Sequence, residues 1–352
     1  MAETFNINYT QDMHKGCIDT SLAASHLTNE YAFTGAKAVR VSTPLTVPMN
    51  DYTRTGANRY GNPTELKDIT QEMTVTQDKS FALTIDKGNA QDKKTAQNFG
   101  TQMLMRQMTE RAIPEFDKYI FEVLSHKGGT IVGNATALTK ANIVDRIADG
   151  GVVMDDGEIS QTDRTLFISA EGYKLLKLSD EFIATEKLGE KALCKGVVGE
   201  FDNMKVVKVP KGRWPLNVNF IIAQKSSATA PTKIYDAKVH IDPPGISGNL
   251  LEGRNYYDCF VIAARANGVY VEVNTAAGKG EICAAPTIGA GNGALTSATS
   301  GALFKYTVDG SDPRYSDSAV AGQPQGVSAK DVVKAFAHKD GLFNSPVTEK
   351  TI

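Results

Sequence analysis

The stretch from residue 91 to residue 124 constrains the fold of this chain more than any other. Its apolar residues recur at steps of about four, the spacing of one helix face, at Phe99, Met103, Met108, Ala112, Phe116, Ile120 and Leu124. Charged residues form the opposite face, at Arg106, Glu110, Arg111, Glu115, Lys118 and Glu122. At ~1.5 Å per residue this spine helix would be on the order of 50 Å long, with a kink at Pro114. Such a length favours an architectural role, although a core helix of an ordinary α+β protein has the same pattern.

The composition indicates a folded protein of two or three domains. The chain has 352 residues, 41% of them hydrophobic, and its 38 basic and 40 acidic residues give a net charge of −2. A protein that wraps nucleic acid through bulk electrostatics would be strongly basic. We expect no secretory leader, because the N-terminal stretch MAETFNINYTQDMHK is polar and lacks an apolar core. We expect no membrane contact, because no apolar run approaches the ~18 residues of a membrane span.

Two alternating stretches flank a turn-rich segment, TRTGANRYGNPTE, at residues 53–65. The first stretch alternates at Val39, Val41, Leu45, Val47 and Met49. The return path alternates at Leu66, Ile69, Met73, Val75, Phe81, Leu83 and Ile85. Each arm could reach about 60 Å at ~3.3 Å per residue. Because an isolated hairpin is marginal in water, one this long should lie on a neighbouring subunit; a meander folded back within one domain is the equal alternative.

The rest of the chain mixes helices and strands without a regular order, which predicts an α+β protein. A helix capped by Thr139 is predicted over residues 139–148, and Ser169 should cap a second helix. Strands are predicted at residues 165–168, 204–209, 220–223, 234–241 and 257–273. The N-terminal arm should contain one short helix around residues 18–30. A Gly-, Ala-, Thr- and Ser-rich segment at residues 276–300 then marks a boundary before a small β-sandwich.

No catalytic or cofactor motif occurs: the sequence lacks GxGxxG, P-loop, HExxH, GxSxG and EF-hand patterns. We therefore expect no enzyme, no cofactor and no metal. The acidic group at Asp155, Asp156 and Glu158 is interpreted as a solvated turn rather than a weak cation site.

Three further features contain residue types that occur in binding sites, and each has a structural interpretation. Asp309, Ser311 and Asp312 have calcium-like spacing but lack a closing glutamate, so they indicate a turn. Trp214 lies in KGRWP between basic residues and should anchor a loop on the core, although a base or a sugar could stack there. The cysteines are scattered and should be free, mostly buried thiols: Cys17, Cys194, Cys259 and Cys283.

The order of these elements resembles the major capsid protein of tailed bacteriophages, the Hong Kong ninety-seven-type phage capsid fold. The resemblance rests on MNDYTRTGANRY, FALTIDKGNAQD, AIPEFDKYIFEVLS, RTLFISAEGYKLLKLS and RNYYDCFVIAARANGVYVEV, which occur in the family's order. It implies an N-terminal arm, an extended hairpin loop, a spine helix, an axial domain and peripheral-domain strands. Their expected ranges are residues 1–36, 37–86, 87–127, 128–232 and 233–278.

The C-terminal part, residues 281–352, resembles the chitobiase/β-hexosaminidase C-terminal module, an all-β Ig-like sandwich. The matching segments are FKYTVDGSDP and VVKAFAHKDGLFNSPV. Aromatic residues here are expected to pack inside: Phe304, Tyr306, Tyr315, Phe336 and Phe343. The resemblance implies a surface domain without catalytic residues, used for decoration or for attachment to a glycan or a host surface.

Together the two resemblances imply a shell subunit that assembles with itself into hexamers and pentamers around phage DNA. DNA would be contacted only non-specifically, and a portal and a separate scaffold protein would be partners. The protein would reside in the virion after synthesis in the bacterial host cytoplasm, without covalent crosslinks. Assembly residues are expected at Arg54, Arg59, Arg106, Glu110, Arg111, Pro114 and Asp117. An encapsulin-like compartment shell and a carbohydrate-binding adhesin are the alternatives.

Overall fold

The computed structural model describes residues 21–31, 33, 38–44, 46, 49–63, 65, 68–88, 99–179, 197–291, 293–328 and 331–352. Within them the α-helices are α1 (Phe99–Gln107), α2 (Ile113–Lys127), α3 (Ile143–Asp156) and α4 (Ala170–Lys177). The first strands are β1 (Ala38–Pro44), β2 (Asp68–Thr74), β3 (Gln77–Asp86), β4 (Thr130–Asn134), β5 (Arg164–Ser169), β6 (Val197–Phe201), β7 (Met204–Val209), β8 (Val218–Gln224), β9 (Ala228–Thr229) and β10 (Thr232–Ile241). They are followed by β11 (Gly248–Tyr257), β12 (Phe260–Val261), β13 (Val269–Asn274), β14 (Thr287–Ile288), β15 (Leu295–Thr296), β16 (Leu303–Thr307), β17 (Val320–Ala321), β18 (Val332–His338) and β19 (Thr348–Thr351). This mixture confirms the α+β assignment.

The spine helix is continuous from α1 to α2 and is joined by a π-helical segment, Met108–Ala112. The Ile113 N–H donates to the Met108 carbonyl, five residues back. Pro114 has no N–H for the Glu110 carbonyl and its ring would crowd that group, so a wider turn before it relieves the conflict. The helix predicted from periodicity is confirmed, and its irregularity lies in the turn before Pro114; residues 91–98 of the prediction are outside the described residues.

A six-stranded sheet of order β4-β13-β8-β5-β7-β6 forms the centre of the subunit. Because side chains alternate along a strand, its two faces bury different residues. Phe167 and Ile221 face the α2 side, whereas Leu166 and Ile222 pack with α3 and α4. The sheet is therefore covered by the spine helix on one face and by two shorter helices on the other.

Two expectations for this region need correction. The helix predicted at residues 139–148 begins at Ile143 and runs to Asp156. The residue at its N-cap position is Asn142 and not Thr139. The Asn142 side chain instead accepts from the Thr139 N–H at 2.8 Å. Strand β13, expected among the peripheral strands, pairs with β4 and β8 in the central sheet. The Ser169 cap is confirmed, since its Oγ accepts from the Gly172 N–H at 3.0 Å.

The extended hairpin is confirmed in its inner part, where β1 and β2 pair from Ala38–Thr74 to Pro44–Asp68. The predicted return path is wrong beyond Thr74. Strand β3 pairs with β11 in a separate three-stranded antiparallel sheet of order β10-β11-β3. Alternation shows that a segment is a strand but not which strand it pairs with. Strands β9 and β12 form a short pair of their own.

Part of the N-terminal arm is buried, although its composition is polar. The described part of the predicted helix at residues 18–30 contains only a single 3-10 turn, Ala24–His26. Leu22, Ala23 and Leu27 are buried in the main core beside the spine helix. Residues 1–20 of the arm lie outside the described residues.

The C-terminal strands form a four-stranded sheet, β17-β16-β18-β19, and a two-stranded sheet, β14-β15. The two sheets share a core that includes Ile288, Leu295, Tyr306 and Val333. This arrangement confirms the all-β sandwich. Tyr315 and Phe343 instead belong to the main core of the α+β body, so the sandwich packs directly on that body. Among the described residues no helix is long and apolar enough to cross a membrane.

Candidate assembly surfaces

The tip of the hairpin is an ordered turn that exposes aromatic rings. Tyr52 and Tyr60 contact each other edge to face at 5.0 Å, and the Thr53 N–H donates to the Arg59 carbonyl at 3.1 Å. Both rings are open to solvent, Tyr60 by 85%. This exposed aromatic pair, held in place by the turn, is a candidate contact surface.

Two of the predicted assembly residues, Arg54 and Arg59, are exposed in this tip. The Arg59 guanidinium donates to the Gly56 carbonyl at 3.3 Å. Gly61 has a φ of +84°, and a Cβ there would lie 2.7 Å from the Asn50 Nδ2 atom. The glycine is therefore needed for the shape of the tip.

The outer face of the spine helix carries three more predicted residues. Arg106 pairs with Glu110 at 2.8 Å, one helical turn apart, and Arg111 is exposed in the π-helical segment. Beside them a groove of about 280 Å³ separates the segment from β3 and β11. The Asn255 Oδ1 atom at this groove has no hydrogen-bond partner among the described residues. This face combines charge with an open groove.

Asp117 occupies a different environment from the other six predicted residues. Its side chain is fully buried, and Oδ2 lies 2.7 Å from the Arg213 Nη1 atom. It also accepts hydrogen bonds from the Ser21 hydroxyl at 2.6 Å and the Leu22 N–H at 2.9 Å. Asp117 therefore ties the arm and the 211–214 loop to the spine helix inside one subunit. Pro114 is half-buried beside the π-helical segment.

A second buried ion pair was not predicted. Arg146 on α3 pairs with Glu272 on β13, and the Asn219 amide donates to the same carboxylate at 2.8 Å. The sequence contained a signal, because Glu272 interrupts the apolar run VYVEV. A charge within a buried strand needs a partner.

The residues considered for chemistry have structural partners. Asp155 pairs with Arg164 at 2.7 Å, and this hydrogen bond lowers the pKa of the Asp155 carboxyl. The Trp214 Nε1–H donates to the Val218 carbonyl at 2.7 Å, which confirms the loop-anchoring interpretation. In the part of the chain that the structure describes, no group of three or more His, Cys, Asp or Glu residues could hold a metal ion.

The described thiols match the expectation from sequence. Cys259 and Cys283 are free and buried, and burial raises the pKa of both thiols. Raised pKa values make thiolates scarce at neutral pH, so we expect little reactivity from these cysteines. Cys17 and Cys194 lie outside the described residues.

Comparison with solved structures shows the same fold in phage capsids. The chain is similar to a structure from Mycobacterium phage Che8, with 16% identity and a TM-score of 0.61, over 79% of this chain and 100% of that chain. It is similar to the asymmetric unit of the bacteriophage PhiM1 mature capsid, with 14% identity and a TM-score of 0.57, over 77% and 92% of the two chains. It is also similar to the capsid structure of the cyanophage P-SCSP1u, with 12% identity and a TM-score of 0.56, over 77% of this chain and 92% of that chain.

These likenesses confirm that the α+β body has a phage capsid fold. The model of the family described as Fn3 associated matches residues 294–352, which agrees with the Ig-like sandwich. No curated protein sequence matches the chain.

Proposed function

We propose that this protein is a major capsid protein, a subunit that assembles with itself into the icosahedral shell around phage DNA. The observation that carries the proposal is the shared fold: the likeness covers 92% of the chain in the PhiM1 mature capsid. A subunit that shares nearly the whole length of a shell protein shares the framework on which such shells are built. The same likeness supports a structural role rather than an enzymatic one.

In this proposal the hairpin and the spine helix make the contacts between subunits. The hairpin tip, with Arg54 and Arg59, would lie across the adjacent subunit of a hexamer or pentamer. The outer face of the spine helix, with Arg106, Glu110 and Arg111, would contact a neighbouring capsomer. Many weak, symmetry-related contacts would then add up to a stable shell. The near-neutral charge suits a wall that contacts DNA only non-specifically.

The same proposal includes partners and a location. A portal would occupy one vertex, and a separate scaffold protein would direct assembly. The subunit would be made in the bacterial host cytoplasm and would end in the virion. The C-terminal sandwich would face outward for decoration or attachment, with the exposed side chains of Leu303 and Val320 on its surface.

Deletion of residues 55–63 tests the proposal. The hairpin tip packs on nothing else among the described residues apart from its own turn contacts, so the shortened subunit should stay folded and soluble but should not form shells. Negative-stain electron microscopy of subunits expressed with the neighbouring phage-like genes is the measurement. A variant with nine Gly and Ser residues in place of the tip keeps its length and should fail in the same way.

The outcomes separate the function from the role of the loop. Absence of shells, tubes and capsomers for the unaltered chain under these conditions would contradict the capsid function. Normal shells from the deletion would contradict only the role of the loop. Shells that hold a protein cargo and no DNA would favour the encapsulin-like alternative.

The adhesin alternative has less support from the sandwich itself. Tyr306, Tyr315, Phe336 and Phe343 are buried, so they offer no aromatic platform for a sugar. Glycan-array binding by whole shells would support surface attachment, and binding by a chain that never assembles would favour the adhesin.

A further inference from the structure

A single loop of the C-terminal sandwich contacts two separate parts of the α+β body. The loop has the sequence DPRYSD, residues 312–317, between β16 and β17. We call it the clamp loop. One end contacts the C-terminal end of the spine helix, and the other contacts the base of the hairpin.

At the spine helix, the sandwich supplies hydrogen-bond donors for the carbonyl of Lys127, the last helical residue, and for those of the two glycines that follow it. The last four carbonyl groups of an α-helix accept no hydrogen bond from within the helix. The Tyr315 hydroxyl donates to the Lys127 carbonyl at 2.6 Å, and the Arg314 guanidinium donates to the carbonyls of Gly128 and Gly129 at 3.2 and 2.8 Å. A positive charge at a helix C-terminus is also favoured by the helix dipole. The clamp loop thus caps the spine helix.

The clamp loop has a fixed shape. The Arg314 Nη2 atom lies 2.7 Å from the Asp312 carboxylate, and the Arg314 side chain is buried. Just before the loop, the Asp309 carboxylate accepts from the Ser311 N–H at 2.9 Å and from the Ser318 hydroxyl at 2.7 Å. These bonds hold both ends of the loop, so a displacement at one contact would be transmitted to the other.

At the hairpin, Asp317 pairs with the free edge of β2. Its N–H donates to the Thr70 carbonyl at 3.2 Å, and its carboxylate accepts from the Glu72 N–H at 2.6 Å. The Arg40 guanidinium of β1 lies 3.5 Å from the same carboxylate. Asp317 therefore covers a strand edge that would otherwise expose unpaired groups.

The body holds β2 from another side. The Gln71 amide donates to the Val261 carbonyl at 2.8 Å, and its oxygen accepts from the Ala263 N–H at 2.8 Å. The hairpin base is thus attached at residue 71 to the body and at residues 70 and 72 to the sandwich. Two attachments at adjacent residues fix a direction, whereas one leaves a pivot.

The geometry points to a conformational role for the sandwich: the clamp loop sets the direction in which the hairpin leaves the subunit. This inference rests on the proposed shell function, because the hairpin must reach a neighbouring subunit for its direction to matter. The sandwich is then part of the assembly machinery, in addition to any role on the outer surface. Asp317 acts as a positioning residue, and the group that it positions is β2.

The variants Asp317→Ala and Asp317→Asn test the clamp. Alanine removes the acceptor of the Glu72 N–H, whereas asparagine retains a carbonyl acceptor and loses only the charge. Asp340→Ala, at an exposed turn of the same domain, is the matched control. Hydrogen–deuterium exchange on the purified subunit and shell size by electron microscopy are measured for each variant, together with the melting temperature.

With Asp317→Ala, the amide of Glu72 should exchange about tenfold faster, since a hydrogen bond to a carboxylate is lost, while the melting temperature should change little. Shells should be fewer and uneven in size; Asp317→Asn should be intermediate, and Asp340→Ala should match the unaltered chain. Unchanged exchange at residues 70–74, or normal shells from Asp317→Ala, would overturn the clamp. Failure of the unaltered chain to assemble would instead count against the shell function.

Discussion

At the scale of single residues, two buried ion pairs connect separate elements of the subunit. Asp117 joins the spine helix to Arg213 and to the N-terminal arm, and Arg146 joins α3 to Glu272 on the central sheet. Removal of one partner of a buried pair leaves an uncompensated buried charge and is strongly destabilising. Replacement of both partners by apolar residues of similar volume costs much less. We therefore expect these residues to contribute to the stability of the single subunit.

Asp117→Ala should lower the free energy of unfolding of the subunit by about 3–5 kcal/mol, because the Arg213 guanidinium would stay buried without its carboxylate. Urea unfolding followed by circular dichroism is the measurement. The double variant Asp117→Leu, Arg213→Met removes both charges and should lose much less. An Asp117→Ala subunit as stable as the unaltered chain, yet unable to assemble, would show that Asp117 acts between subunits after all.

Asp117 was expected among the assembly residues, although the sequence carried a signal that it is buried. Asp117 lies four residues before Phe121, so helical spacing places it on the buried side. Its partner lies 96 residues further along the chain, and a single sequence carries no record of such a contact. The residue could therefore be singled out, but its environment could not be predicted.

At the scale of elements, periodicity was sufficient for the spine helix and insufficient for strand pairing. The one five-residue step in the apolar stripe, from Met103 to Met108, directly precedes the π-helical segment. That step lies before the segment, where Leu104 rather than Met103 is buried, so the stripe itself does not mark the π turn. Strand β3 shows the limit: the same alternation fits the hairpin and the sheet with β11, and only the pairing distinguishes them.

Arg54→Glu at the hairpin tip should reduce the yield of shells without changing the melting temperature of the subunit. The side chain is exposed, so its reversal costs little within one subunit, but a contact repeated over a shell multiplies the effect. Lys305→Glu, an exposed charge reversal on the sandwich, is the control. Assembly is measured by light scattering at low and high salt, and salt should reduce the difference between the variants. Equal assembly of both variants would exclude a contact at Arg54.

At the scale of the whole molecule, the sequence could not predict the interface between the sandwich and the α+β body. We call this interface, which includes Tyr315 and Phe343, the seam. The motifs of residues 281–352 indicated an Ig-like domain, but not that Phe343 and Tyr315 would enter the core of the body. Such docking depends on the fit of two surfaces made by residues far apart in the chain. At the seam the Phe343 ring stacks on the His126 ring, with centroids 4.6 Å apart, and the Asn344 amide donates to the His126 carbonyl.

The stability of this seam should depend on pH through His126. Burial lowers the pKa of the His126 imidazole below its usual 6.5, and the nearby Glu122 carboxylate opposes this shift only in part. Between the folded pKa and 6.5 the unfolded chain binds a proton that the folded chain does not, so stability is complete above pH 6.5 and is lost as the pH falls. The melting temperature of the subunit should therefore decrease from pH 7 to pH 5.

The variant His126→Phe isolates this effect, because phenylalanine can keep the stacking with Phe343 and cannot bind a proton. Burial also lowers the pKa of His338, which contributes a similar loss to both proteins and cancels in their difference. The unaltered subunit should thus lose more stability than His126→Phe over this range, with exchange protection lost first at residues 126–129, where the sandwich caps the spine helix. If both proteins lose stability in parallel, proton binding at His126 does not control the seam, and its strength comes from the pH-independent contacts of Tyr315 and Arg314.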